Sequence, residues 1–208
     1  MPAGDPRSGA VDASVCRVLA HGQKLNLLEP YRGSVSTVHT PSGSGFVVRV
    51  RGKTYIATAF HVIDNCFDIR AVLPACFDSV PIKCSVVGGA PKMDVALLSV
   101  TDDRIQPSDV DEATSALPVG DSDDLVRGTP VETYGYPLGA DRINTTSGTV
   151  TGRVGYPLHR LQVDVAVSPG NSGGPVMSAT DREVLGMVTS TTADARAQRI
   201  NFAAPANE

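Results

Sequence analysis

The sequence predicts an all-β protein: two packed six-stranded antiparallel β-barrels. Three observations carry that reading. About a dozen short runs are apolar or alternating and are bounded by Gly, Pro, Asp or Ser; no sustained 3.6-residue periodicity is present; and one acidic interval, residues 101–116, divides the runs into two groups of about six. The 20 glycines and 15 prolines among 208 residues supply the turns that such a chain needs.

Taken in order, the N-terminal 32 residues read as an extension in which Val15, Val18 and Leu19 allow one short helix opened by Asp12 or Ser14. The first barrel, residues 33–100, is expected to hold strands at 34–39, 45–50, 53–59, 68–73, 81–87 and 94–100. Phe46-Val47-Val48-Arg49-Val50 and Tyr55-Ile56-Ala57-Thr58 are its most β-branched or alternating runs. Residues 101–118, poor in strand formers, read as a surface linker. The second barrel, residues 119–205, is expected to hold strands at 129–134, 143–152, 160–167, 174–178, 183–190 and 199–204, and residues 206–208 form a tail.

Composition removes several function classes. With 41% hydrophobic and 19% charged residues the chain can bury a core, which excludes wholesale disorder. Eighteen Lys and Arg against 22 Asp and Glu give a formal charge of −4 without a basic run, so no nucleic-acid partner is expected. No stretch is long and apolar enough for a membrane span, and no membrane partner is expected. The first residues, Met1-Pro2-Ala3-Gly4-Asp5-Pro6, have no apolar block of secretory length, which favours an intracellular location. Cys16, Cys66, Cys76 and Cys84 lack paired CxxC spacing, so no metal site is expected. They read as reduced thiols, with a link from Cys66 or Cys76 to Cys84 as the alternative.

Chemistry concentrates in Val167-Ser168-Pro169-Gly170-Asn171-Ser172-Gly173-Gly174-Pro175. Its glycines permit a tight, partly left-handed backbone that can aim consecutive N–H groups at one point, which makes Ser172 a candidate nucleophile; a plain Gly-Ser hairpin is the bland alternative. The run also satisfies GxSxG, yet His21, His39, His61 and His159 all precede Ser172, which is the wrong order for an α/β-hydrolase. A serine hydroxyl needs a base, and His61 stands where the strand-like Tyr55-Ile56-Ala57-Thr58 runs into a turn, at the edge of a rigid core. Asp94 opens the apolar run Val95-Ala96-Leu97-Leu98, where a carboxylate is costly unless paired, as an imidazole would pair it. Asp64 reads as a turn residue and Asp164 as structural.

Four blocks, Gly43-Ser44-Gly45-Phe46-Val47, Ala57-Thr58-Ala59-Phe60-His61-Val62-Ile63, Asp94-Val95-Ala96-Leu97-Leu98 and Gly170-Asn171-Ser172-Gly173-Gly174-Pro175, resemble the ordered signatures of chymotrypsin-fold serine proteases. Val163 to Pro175 and the closing Phe202-Ala203-Ala204-Pro205 are similar to the protease domain of the HtrA/Deg family. The resemblance implies a cleft between the barrels with His61 as base, Asp94 as its orienter, Ser172 as nucleophile and the N–H groups of Gly170 and Ser172 as an oxyanion hole. It implies a serine endopeptidase with polypeptide substrates and no cofactor, and by family likeness a homotrimer. A peptide-holding pseudo-protease is the alternative. The resemblance also implies a pocket for the residue before the scissile bond, floored by Ala166 and bordered by Thr189, Ser190 and Thr191, hence shallow, uncharged and suited to small or aliphatic side chains. Phe60, Ser168 and Asn201 depart from the family pattern, and Asn171 stands where digestive relatives carry an aspartate.

Overall fold

Thirteen strands run through the described residues of the protein's computed structural model, which are 11–24, 37–74, 79–123, 125–155, 159–191 and 201–207. The first seven are β1 (Val15–Lys24), β2 (Thr37–His39), β3 (Ser42–Val50), β4 (Lys53–Ala59), β5 (Cys66–Val72), β6 (Ile82–Ala90) and β7 (Val95–Val100). They form one antiparallel sheet in the order β2-β1-β3-β4-β7-β6-β5, and a further pairing of β1 with β5 closes six of them into a barrel, leaving β2 as a short flap on β1. The other six, β8 (Pro130–Gly135), β9 (Asn144–Val154), β10 (Arg160–Val163), β11 (Pro175–Ser178), β12 (Val184–Thr191) and β13 (Asn201–Pro205), close the second barrel in the order β10-β13-β12-β11-β8-β9.

The N-terminal segment corrects the sequence reading. Among its described residues only 11–14 are helical, and Val15–Lys24 is a strand that pairs with β3 on one side and β5 on the other. The first barrel therefore draws on residues that the sequence reading assigned to an extension. Val15, Val18 and Leu19 fit a helical face, but Cys16, Val18, Ala20 and Gly22 are all buried while Arg17, Leu19 and His21 are not, a period of two. Such a short run satisfies both periods. What decides it is closure, since without β1 the facing edges of β3 and β5 would leave a row of backbone donors and acceptors unpaired.

Smaller corrections follow from single side chains. The strand expected at 160–167 ends at Val163, where Asp164 turns its carboxylate onto the Thr149 N–H and hydroxyl. The acidic linker contains a helix, α2 in chain order (Pro107–Ala113), with a capping box between Gln106 and Asp109 and proline in its first turn. It is not wholly a surface connector, because Ile105, Val110 and Leu117 pack into the first barrel's core. The strand residues expected at 34–36 and 199–200 lie outside the described residues, as does Cys76.

Inward-facing residues of each barrel make its core. Val131, Val150, Leu161, Val163, Val176 and Leu185 fill the second, while Val15, Val18, Val47, Ile56, Ala71 and Leu98 belong to the first. The first cluster continues across the seam into Tyr134, Tyr136, Met177 and Met187 of the second barrel, so the two barrels share one apolar interface. Among the described residues, no helix is long and apolar enough to cross a membrane.

The alternation of β1 gives a direct check. Val18 is fully buried and Leu19, its neighbour, is not. Val18→Thr should cost about 1–3 kcal/mol by burying a hydroxyl, and Leu19→Thr less than about 1 kcal/mol, as read by urea denaturation. A helix presenting both on one face would give similar losses.

Candidate active site

β4 hands its chain to a single helical turn, α1 (Phe60–Ile63), whose Val62 and Ile63 are buried and hold the turn on the core. His61, on the opposite side, is left half-exposed. A tight turn before β7 ends at Asp94, whose φ of 62° lies in the left-handed region that a non-glycine residue seldom occupies. This backbone is held from two directions. The Asp94 carbonyl accepts the Phe60 N–H at 3.0 Å, and its carboxylate accepts the His61 backbone N–H at 2.8 Å through Oδ1. The other oxygen, Oδ2, lies 2.7 Å from His61 Nδ1. Both oxygens are thus engaged by one residue, which fixes the ring's position and leaves Nε2 as the outward nitrogen.

Ser172 sits in the loop between β10 and β11. Gly170 and Gly173 have φ of 100° and 87°, and a Cβ at Gly173 would collide with the Ser44 carbonyl and the Thr58 hydroxyl, so the expected need for glycine is met by real contacts. Internal bonds from Asn171 N to Ser168 O (3.0 Å) and from Gly174 N to Asn171 O (2.9 Å) shape the loop, and Gly173 N donates to Val188 O of β12 at 2.7 Å. Among the described residues, the amides of Gly170 and Ser172 donate to no backbone carbonyl. Asn171, which replaces the aspartate of digestive enzymes, is buried and neutral.

Ser44 of β3, to which the sequence reading gave no role, joins the barrels at this loop. Its backbone N–H donates to Ser172 O (2.8 Å), its hydroxyl donates to Gly170 O (2.7 Å) and accepts from Tyr136 N (2.9 Å), and its carbonyl accepts the Thr58 hydroxyl (2.7 Å). A serine between two glycines inside a strand was the signal available in the sequence.

One cleft at the seam is lined from the first barrel by His61, Pro91 and Asp94, and from the second by Arg160, Val167, Ser168, Ser172 and Thr189. His61, Asp94 and Ser172, read separately in the sequence, therefore meet at one place. Ala166 does not line it; the residue is exposed and its carbonyl accepts the Thr146 hydroxyl at 3.0 Å. Thr189 lines it from a bulge in β12, the pairing skipping from Val188–Ala203 to Ser190–Phe202. Ser190 and Thr191 follow in the same strand, and their side chains lie outside the described residues. Arg160 also lines the cleft, and its Nη1 donates to Thr189 Oγ1 at 3.2 Å. Its signal in the sequence was the alternation Arg160-Leu161-Gln162-Val163, which buries the second and fourth residues and turns the first outward.

Elsewhere, Asp64 accepts from the Asn65 side chain and His21 lies near Asp68, away from the cleft. Cys66 and Cys84 are free thiols, so the alternative link between them is not formed. Among the described residues, no group of three or more His, Cys, Asp or Glu could hold a metal ion.

Two closed antiparallel barrels, with a histidine–aspartate pair on one and a serine in a glycine loop on the other, define the chymotrypsin-fold class of protein. The model of the trypsin-like peptidase domain family matches residues 43–187, and the chain belongs to that family. Similar sequences include the serine protease Do-like HtrA of Bacillus subtilis (strain 168), 32% identical over 189 residues, covering 84% of this chain and 39% of that protein. A probable periplasmic serine endoprotease DegP-like of Halomonas elongata is 36% identical over 151 residues, covering 70% and 28%. The chain thus spans well under half the length of these relatives. Among solved structures, the HtrA-type protease AlgW with tripeptide superimposes with a TM-score of 0.71 at 22% identity, over 95% of this chain and 57% of that one.

The seam makes Ser44 testable. Ser44→Ala would leave the buried Tyr136 N–H and the Gly170 carbonyl without their partner, and thermal or urea unfolding should register a loss of about 1–3 kcal/mol. Ser44→Thr, which keeps the hydroxyl, should recover part of it.

Proposed function

We propose that the chain is a serine endopeptidase of the HtrA/Deg kind. The observation that carries this reading is the doubly held Asp94–His61 pair opening onto the same cleft as Ser172. With its Nδ1 proton shared with Asp94, His61 presents Nε2 as a base, and Ser172 Oγ attacks the peptide carbonyl as its proton passes to that nitrogen. The amides of Gly170 and Ser172 supply the donors for the developing oxyanion. His61 then gives the proton to the leaving amine, and a water molecule, deprotonated in the same way, hydrolyses the ester on Ser172 and restores the hydroxyl. The substrate is a polypeptide, and no cofactor enters any step. Val167 offers apolar wall to a small or aliphatic side chain before the scissile bond.

The first test is acylation by a serine-directed fluorophosphonate, mapped to Ser172, together with cleavage of a denatured protein mixture. Ser172→Ala and His61→Ala should each lower turnover by about three or more orders of magnitude, with the double variant little worse than either, because the two act as one unit. Asp94→Asn should also be severely impaired through the wrong imidazole tautomer. Additive losses, or labelling at another residue, would refute the assignment.

The thiols lie outside this chemistry. Burial pushes the Cys84 thiol up to about 12 and also raises that of Cys66, where Asp64 adds to the effect, so both stay protonated and unreactive at neutral pH. Alkylation of the native protein with iodoacetamide should leave peptidase activity nearly unchanged, and loss of activity in step with modification would point to a thiol at work.

A further inference from the structure

We propose that Arg17 is a positioning residue for the oxyanion donors: from the first barrel it clamps the turn of the second barrel on which the Gly170 peptide rests. The inference rests on the peptidase reading and deepens it, naming a residue outside the cleft that sets how well the site holds its transition state.

Arg17 faces outward from β1, because Cys16 and Val18 take the inward positions, and it pairs in register with Ser44 of β3. Directly opposite residues of an antiparallel pair project to the same face. The two side chains therefore leave the first barrel together and reach one stretch of the second. Ser44 holds its start, where the hydroxyl accepts the Tyr136 N–H at 2.9 Å. Arg17 holds its end, where Nη1 donates to Gly139 O at 3.2 Å and to Asp141 Oδ1 at 3.4 Å. A third bond ties the same stretch to β1, the Tyr136 hydroxyl donating to Val15 O at 3.4 Å.

Between these points lies a strained turn, Pro137–Gly139. Leu138 and Gly139 are both left-handed, with φ of 55° and 74°, and Leu138 is 80% exposed, so its side chain adds little packing to offset the strain. The inner edge of the turn meets the serine loop, where the Leu138 N–H donates to Pro169 O at 2.6 Å. A Cβ on Gly170 would collide with Tyr136 O and Leu138 N, so the Gly170 backbone is seated directly on the turn. The Pro169 carbonyl and the Gly170 N–H belong to one planar peptide unit, and the bond that fixes the first also fixes the direction of the second. Arg17 thus acts on an oxyanion donor through Gly139 and Leu138. The Asp141 carboxylate is 98% exposed, where an ion pair is worth little, so the backbone bond to Gly139 carries the effect.

The test uses the full chain and an amide substrate. Arg17→Gln should lower kcat roughly tenfold, well short of the ~10²–10³ lost when an oxyanion donor is removed outright. KM should change by less than about twofold, because the donors act on the transition state, and Arg17→Lys should recover part of kcat. Asp141→Asn should stay within about twofold of the unaltered chain. A second readout isolates the donors with a peptidyl trifluoromethyl ketone: Ser172 Oγ adds to its carbonyl carbon, the hydroxyl proton passes to His61 and the ketone oxygen becomes the oxyanion. Arg17→Gln should bind this ketone about tenfold more weakly, while the substrate peptide should bind Ser172→Ala equally well with or without the Arg17 change. A merely structural arginine would lower resistance to urea and leave the kcat and ketone affinity of the folded variant as they were. That result, or equal weakening of ketone and peptide, would overturn the inference, and cleavage by the unaltered chain would keep the peptidase reading standing. An unaltered chain that neither cleaves nor takes the fluorophosphonate on Ser172 would refute the peptidase reading and the inference with it.

Discussion

The rest of the structure depends on how the β3 residue Ser44 meets the loop of Ser172. Three hydrogen bonds, from the Ser44 amide to Ser172 O, from its hydroxyl to Gly170 O and from Tyr136 N to that hydroxyl, cross the seam between the barrels at one residue. Each barrel is closed by its own ladder and packed on its own core, so neither needs the other to satisfy its strands. The cleft does need both. Apolar contact through Tyr134, Tyr136, Met177 and Met187 brings the barrels together without direction, and the Ser44 bonds supply direction, since hydrogen bonds are lost by small displacements that a greasy interface tolerates. Gly173 is glycine for the same reason: the Ser44 carbonyl and Thr58 hydroxyl lie where its side chain would be.

A second constraint acts within the first barrel. A left-handed φ at an aspartate is unfavourable, and it persists only where the surroundings over-determine it. Asp94 is fixed by its carbonyl to Phe60, by one carboxylate oxygen to the His61 backbone and by the other to the His61 ring. The turn therefore places the carboxylate and the turn's strain together beside the imidazole. Phe60, a departure from the family pattern, fits because it is partly buried against the core and faces Gly89 of β6, which offers it no side chain.

Much of the fold was legible because strands with one buried face announce themselves by alternation, as β7 and β10 do, and because β3 and β4, buried on both faces over most of their length, are rich in strand formers. β1 was not, because its apolar residues at 15, 18 and 19 match a helical face, and only the open edges of β3 and β5, which are distant in sequence, favour a strand. The same limit applies at the site. His61, Asp94 and Ser172 each had a local context that set them apart. Ser44 and Arg160 act through partners more than 25 residues away, Gly170, Tyr136 and Thr189, so their short local motifs carry little of the signal. Ala166 lies past the end of β10 at Val163, where Asp164 binds Thr149 and turns the chain, and it is left exposed.

Arg160 and Thr189 show how the period of a strand becomes the chemistry of a cleft. In β10 the pleat alone turns Arg160 away from the core that Leu161 and Val163 fill; a register slip of one residue would send the guanidinium inward and an isobutyl group into the cleft. In β12 the pleat would have alternated Val188 and Thr189 between faces, and the bulge breaks that rule so that both are buried, Val188 in the core and Thr189 against Phe202 and Arg160. The extra residue gives the cleft wall a hydroxyl, bonded to Phe202 O and Arg160, without removing an apolar residue from the barrel. The second barrel can thus change the charge and shape of its cleft wall at the outward positions of β10 and at the β12 bulge while its core stays the same. The first barrel has no such freedom, because its cleft residues are held by backbone bonds that leave Asp94 and His61 a single arrangement.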